Sequence, residues 1–172
     1  VMYAGNLGYS QPVGLVLEAA RRLAGREDVV FVVNGAGSAK LALEEEAADL
    51  SNVVFVDLQP RERLAEVLAA ADVHLVLLRS GFARSSVPSK LYSILAAARP
   101  LVASVDPGTE VARVVEAAGA GTAVAPDDPD AVVEALLALL DDPDGAEAMG
   151  AAGRRFVETW ASPADVAERY EE

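Results

Sequence analysis

The sequence predicts an α/β domain: a doubly wound, Rossmann-like parallel sheet of about six strands, with C-terminal helices packed on it. Three observations predict it. Six short apolar runs alternate with stretches of helical periodicity through residues 1–126. The longest runs are continuous, not alternating, as strands covered on both faces are. The intervals between them are long enough for right-handed crossovers. Together these give the strand order 3-2-1-4-5-6 and place a ligand crevice outside the C-terminal ends of strands one and four.

Val1 to Ala4 is the first strand, with Gly5-Asn6-Leu7-Gly8 as the turn after it. Apolar residues at helical spacing (Val13, Val16, Leu17, Ala20, Leu23) predict a helix over 12–23, ended by Gly25. Val29 to Val33 is the second strand, Asn34-Gly35-Ala36-Gly37-Ser38 its loop, and 39–50 a helix with an acidic face. Val53 to Val56 is the third strand. Leu58-Gln59-Pro60 follows as a turn, with Pro60 placed at the first position of a helix running to Ala71. Val73 to Leu78 is the fourth strand. An irregular loop over Arg79 to Ser89 then leads into a helix beginning near Lys90. Leu101 to Val105 is the fifth strand, a helix capped by Thr109 follows, and Thr122 to Ala125 is the sixth strand. Residues 127–172 form a C-terminal helical part of the same domain: helices over 131–140, from Pro143 towards Trp160, and from Ser162 onward. Phe156 and Trp160 are expected to pack.

Composition narrows the function. A formal charge of −13 excludes a nonspecific nucleic-acid binder and a broad face for anionic membranes. Without cysteine there is no disulfide or thiolate chemistry, and one histidine, His74, excludes a histidine-rich metal site. His74 lies within a strand and is expected to be a hydrogen-bonded core residue. No apolar run is long enough to cross a bilayer. The chain enters directly on the strand-like Val1-Met2-Tyr3-Ala4 and is expected to be a fragment whose upstream part is missing.

The candidate site lies in the loops of the switch point. Gly5, Asn6, Leu7 and Gly8 allow close backbone approach to a bound group, and the helix after them offers free N–H donors and a positive end. A glycine turn kept for packing is the competing reading. The dinucleotide fingerprint is absent, and the second strand ends on Asn34-Gly35 without a ribose-binding carboxylate. Gly35-Ala36-Gly37-Ser38 is either a side wall of the pocket or a plain turn. Lys90 stands at a helix start, where a lysine opposes the macrodipole unless an anion lies between them. A diphosphate is such an anion, and Ser89, Lys90 and Leu91 form its expected cradle, with Arg84 as a second cation. A solvated surface lysine and a free surface arginine are the competing readings.

The order of these features resembles the C-terminal, donor-binding half of GT-B glycosyltransferases of the retaining family 4. Gly5-Asn6-Leu7-Gly8 through Leu17-Glu18-Ala19-Ala20 is similar to that family's first loop and helix, and Val32 to Gly37 to its second strand and turn. Val87-Pro88-Ser89-Lys90-Leu91-Tyr92-Ser93-Ile94-Leu95, continuing to Arg99-Pro100-Leu101-Val102-Ala103, resembles the branch that includes colanic-acid and O-antigen transferases. Ala125 to Pro143 resembles the end region. The family carries a pair of glutamates around this loop; the matching positions hold Ser85, expected near the donor sugar, and Ser93, expected near the ribose. The phosphate-binding cations of the family's first loop fall near Asn6 and Gln11, which shifts that duty to Lys90 and Arg84. The base is expected at Asp57, Leu58 and Gln59.

The resemblance implies the nucleotide-sugar-binding half of a retaining glycosyltransferase in polysaccharide or glycoconjugate synthesis. Its donor substrate is a nucleoside diphosphate sugar, with no cofactor and no metal. The implied partner is an N-terminal acceptor-binding domain absent from this chain, without which the chain is inactive. A cytoplasmic location is implied, with peripheral membrane association only through the missing part. Half of a nucleotide-sugar epimerase and a non-catalytic nucleotide-binding module are the alternatives.

Overall fold

The computed structural model of the chain describes residues 1–8, 11–82 and 90–160, with the side chain of Trp160 excepted. The elements are β1 (Met2–Asn6), α1 (Gly14–Arg22), β2 (Phe31–Ala36), α2 (Lys40–Glu46) and β3 (Val53–Val56). A 3-10 turn at Arg61–Arg63 leads into α3 (Leu64–Ala69). They continue with β4 (His74–Leu77), α4 (Lys90–Ala96), β5 (Leu101–Ser104), α5 (Glu110–Ala118), β6 (Gly121–Val124), α6 (Pro129–Leu140) and α7 (Pro143–Trp160). The six strands form one sheet in the order β3-β2-β1-β4-β5-β6, and every neighbouring pair is parallel. The expected doubly wound architecture is therefore the observed one. Among the described residues no helix is long and apolar enough to cross a membrane.

The two faces of the sheet carry separate cores. On one, Phe31, Val33, Leu75 and Val102 pack with Val16 and Leu17 of α1 and with Val132, Leu136 and Leu139 of α6. On the other, Val76, Leu101 and Ala103 pack with Leu91, Ile94 and Leu95 of α4 and Val111, Val114 and Val115 of α5. Phe156 of α7 packs on this second core, as expected. Helix α7 approaches closely because it carries glycines there. A Cβ on Gly150 would lie 2.3 Å from the carbonyl oxygen of Ala98, and one on Gly153 would lie 2.9 Å from the Ala120 methyl.

Element ends follow local chemistry. Thr109 caps α5 with its hydroxyl 3.5 Å from the N–H of Ala112, and Gly119 ends the helix in the left-handed region at φ 57°. Asp128 caps α6, accepting from the N–H of Ala131 at 3.0 Å. Asp128→Ala should lower stability by about 1 kcal/mol, read as a reduced urea midpoint with an unchanged m-value.

Several boundaries differ from the sequence expectations. Gly5-Asn6 and Asn34-Gly35-Ala36 are strand, not turn, because Ala4↔Asn34, Gly5↔Gly35 and Asn6↔Ala36 continue the β1–β2 ladder. Helix α2 stops at Glu46, four residues short of Leu50, with Ala47 as its C-cap. Pro60 lies outside its helix, in extended conformation at ψ 144° ahead of the 3-10 turn. The helix expected from Ser162 falls outside the described residues.

Candidate functional site

The site begins where β1 and β4 part. β1 stays paired with β2 as far as Asn6↔Ala36, but with β4 it pairs only at Met2↔His74 and Tyr3↔Leu75. Beyond that rung a small crevice of about 50 Å³ opens, lined by Tyr3, Gln11, Leu78, Lys90 and Ile94 among others. It lies at the switch point, where the order of winding reverses. Larger hollows lie elsewhere, among them two of about 440 and 610 Å³. One flanks the edge strand β6 and the other lies near the N-terminal ends of β4 and β5. The crevice is the place where charge and backbone converge, and that outweighs volume.

Lys90, the first residue of α4, fills the crevice. Its Nζ is 5.6 Å from the centroid of the Tyr3 ring. It also lies against the backbone of Gly5, where a Cβ would be 1.3 Å from Nζ. Gly5 has φ +151°, a conformation that favours glycine, and a side chain there would displace the Lys90 ammonium. Burial pushes the Lys90 ammonium below its ordinary pKa. Among the described residues no carboxylate pairs with it.

The first loop is held from beneath. The N–H of Leu7 donates to Ala36 O at 2.9 Å, and Leu7 O accepts from the N–H of Ala39 at 3.0 Å. The Leu7 side chain is wholly buried. Leu7 is thus committed to the protein, and Asn6 and Gly8 are the members of the predicted loop left facing outward. Asn6 is exposed, with its amide 3.3 Å from Gln11 Oε1, and Asn6 O accepts from the Tyr3 hydroxyl at 2.6 Å.

The expected base site follows β3. Asp57 O accepts from the Asn34 amide and from the Gln59 amide, both at 3.0 Å, which fixes the backbone of this turn. The Asp57 carboxylate pairs with Lys40, which also approaches Glu44 at 3.6 Å. The hydrogen bond to Lys40 holds the Asp57 carboxyl below its usual range, and the same bond raises Lys40. Leu58 is exposed. In α4, Leu91 is wholly buried and Ser93 half-buried. Arg84, Ser85 and Ser89 lie outside the described residues.

Sequence reasoning missed two carboxylates that anchor the loop after β4. Asp106 accepts from the Ser80 hydroxyl at 3.0 Å and from the N–H of Gly81 at 2.7 Å. Asp127 accepts from the N–H of Ser80 at 3.4 Å. The available signal was an aspartate just beyond the end of a strand, in Asp106-Pro107-Gly108-Thr109. Lys40 carries no local signal beyond being one of two lysines, and Tyr3 reads in the sequence only as part of a strand.

The strand order is that of the Rossmann-like class, and the matches to known proteins narrow it to the C-terminal domain of a GT-B glycosyltransferase. The chain belongs to the family of glycosyl transferases group 1, whose sequence model matches residues 1–142. It is 34% identical over 139 residues to the putative colanic acid biosynthesis glycosyl transferase WcaI of Escherichia coli, covering 79% of this chain and 34% of that protein. The chain spans about a third of the length of the curated relatives it matches. Its fold is similar to the C-terminal domain of the group 1 glycosyl transferase LpcC from Francisella tularensis, with TM-score 0.79, 15% identity, and coverage of 94% of this chain and 85% of that one. It is also similar to Anabaena Alr3699/HepE, solved in complex with UDP-glucose, with TM-score 0.75, 14% identity, and coverage of 98% and 48%.

Proposed function

We propose that this domain binds the nucleoside diphosphate sugar donor of a retaining glycosyltransferase in polysaccharide or glycoconjugate synthesis. The observation that carries the reading is the placement of Lys90. Its ammonium is desolvated at the switch point, without a carboxylate partner among the described residues. A diphosphate above the crevice would supply the missing charge and accept a charge-assisted hydrogen bond. As the glycosidic bond to the donor breaks, negative charge grows on the leaving diphosphate. A cation already in position stabilises that charge without reorganising. Family membership and the resemblance to a UDP-glucose complex support this reading.

In the same reading the base lies along Asp57, Leu58 and Gln59. In it Ser93 takes the ribose, and Ser85, which lies outside the described residues, takes the donor sugar. The acceptor is held by a second domain, so this chain alone binds nucleotide and transfers nothing. Titration with UDP and with GDP tests the proposal: one of them should bind saturably. Lys90→Ala should weaken that binding by about tenfold to a hundredfold, the range for a hydrogen bond to a charged group. Absence of saturable binding by the wild type would refute the donor site, and equal binding by the variant would remove Lys90 from it. Sugar transfer by the isolated chain would overturn the division of labour.

A further inference from the structure

Lys90 lies in its crevice on the aromatic ring of Tyr3, and that ring reaches the other half of the site as well. Tyr3 occupies the last rung at which β1 is paired on both sides, with Val33 on β2 and Leu75 on β4. Its face lies 5.6 Å from the Lys90 ammonium, and its hydroxyl donates to Asn6 O at 2.6 Å. The side chain is only 3% exposed, so neither contact can be exchanged readily for water.

We propose that Tyr3 is a positioning residue of the donor site, holding Lys90 through its ring and the Asn6 backbone through its hydroxyl. The inference rests on the donor-site reading, but its geometric half can be tested apart from it. A half-buried ammonium facing an aromatic ring is attracted by the ring's negative face, within the distance at which such pairs count. The ring therefore supplies favourable electrostatics where, among the described residues, no carboxylate does, and it leaves the positive charge available to an incoming anion. A carboxylate here would hold Lys90 more firmly but would neutralise and repel the diphosphate. Asn6, fixed by the hydroxyl, is one of the outward-facing residues of the first loop. One side chain in β1 thus fixes both the cation and the loop beside it.

The chain has only two lysines, Lys40 and Lys90, so carbon-13 labelling of lysine gives two sets of side-chain NMR signals. Lys40→Arg assigns them. In the wild type the Lys90 ε-methylene protons should be shifted upfield of those of Lys40 by the ring current of Tyr3. Tyr3→Phe should keep that shift, and Tyr3→Leu should abolish it. In the nucleotide titration, Tyr3→Leu should weaken binding of UDP or GDP about threefold to thirtyfold, the span of cation–π contacts from exposed to desolvated. In the Lys90→Ala background the same change should cost much less than in the wild type. Tyr3→Phe should weaken binding through Asn6 alone, and equally with or without Lys90. If Tyr3→Leu does not fold, the wild-type spectrum and Tyr3→Phe still decide the matter. Unshifted Lys90 signals in the wild type would overturn the inference whatever the nucleotide does, as would undiminished binding by both Tyr3 variants. Upfield Lys90 signals in a wild type that binds neither nucleotide would instead sink the donor-site reading, leaving Tyr3 as the holder of Lys90.

Discussion

Gly35→Ala should destabilise the domain by about 3 kcal/mol or more, at the upper end of what one added methyl costs in a packed interior. The Cβ would lie 2.1 Å from the carbonyl oxygen of Gly5 and 3.2 Å from the Leu7 side chain. The first contact decides the size of the effect, because its partner is backbone and not the far end of a flexible side chain. Gly5 and Gly35 face one another across the β1–β2 ladder, so relief requires the strands to separate. β1 is held on its other side by β4 through Tyr3↔Leu75. Gly35 has no positive φ, so space, not conformation, demands glycine here. Gly25→Ala is the control: nothing lies within 4 Å of its Cβ, and it should be nearly neutral. Chemical denaturation of the two variants should separate them by most of the predicted difference. Comparable stability would mean that β1 and β2 are not packed this closely. Because Gly5 lies under Lys90, any Gly35→Ala protein that folds should also bind UDP or GDP less tightly than the wild type.

The same pair of strands shows what was legible in the sequence. Val29 to Val33 and Val73 to Leu78 read as buried strands because continuous β-branched and aliphatic runs have few alternatives in a parallel sheet. The order followed from crossover handedness, which leaves few windings. The ends of β1 and β2 were not legible. Glycine disfavours strand locally, and only the close approach of Gly5 to Gly35, a tertiary fact, extends the ladder past Ala4 and Val33. The place of Lys90 at a helix start beside the switch point was legible from the loop and helix pattern around it. Tyr3 was not, because a tyrosine inside an apolar run is indistinguishable from a core residue until its neighbours are known. Asp106, Asp127 and Lys40 share that difficulty. Their partners lie on loops 25 or more residues away for the aspartates and 17 residues away for Lys40, and nothing in their local pattern names them.

Between pH 7 and 4.5 the wild type should lose about 2–3 kcal/mol of stability that a His74→Gln variant keeps. His74 is fully buried in β4, and its Nε2 donates to Leu68 O at 2.8 Å. Nδ1 is buried with no hydrogen-bond partner, so protonation there would place an uncompensated charge in the core. Burial therefore pushes the imidazole down from its ordinary 6.5 to about 4, with the bond to Leu68 acting against it and Arg99 in the same direction. The folded state thus binds fewer protons than the unfolded state throughout the interval between those values. The contribution is fully present above pH 6.5 and is lost as pH falls towards 4. Glutamine can still donate to Leu68 O but cannot titrate. Its absolute stability at pH 7 is expected to be lower, and its pH slope flatter. Urea unfolding of both proteins at several pH values isolates the term, since the carboxylates that titrate over the lower part of this range are common to the two. Parallel stability profiles would show that His74 is not buried in its neutral form. The same imidazole lies one rung from Tyr3, because Met2↔His74 and Tyr3↔Leu75 are the only β1–β4 pairs. Acid should therefore loosen the β1–β4 fork before the β1–β2 ladder, and nucleotide affinity should fall over the same pH interval in the wild type more than in His74→Gln.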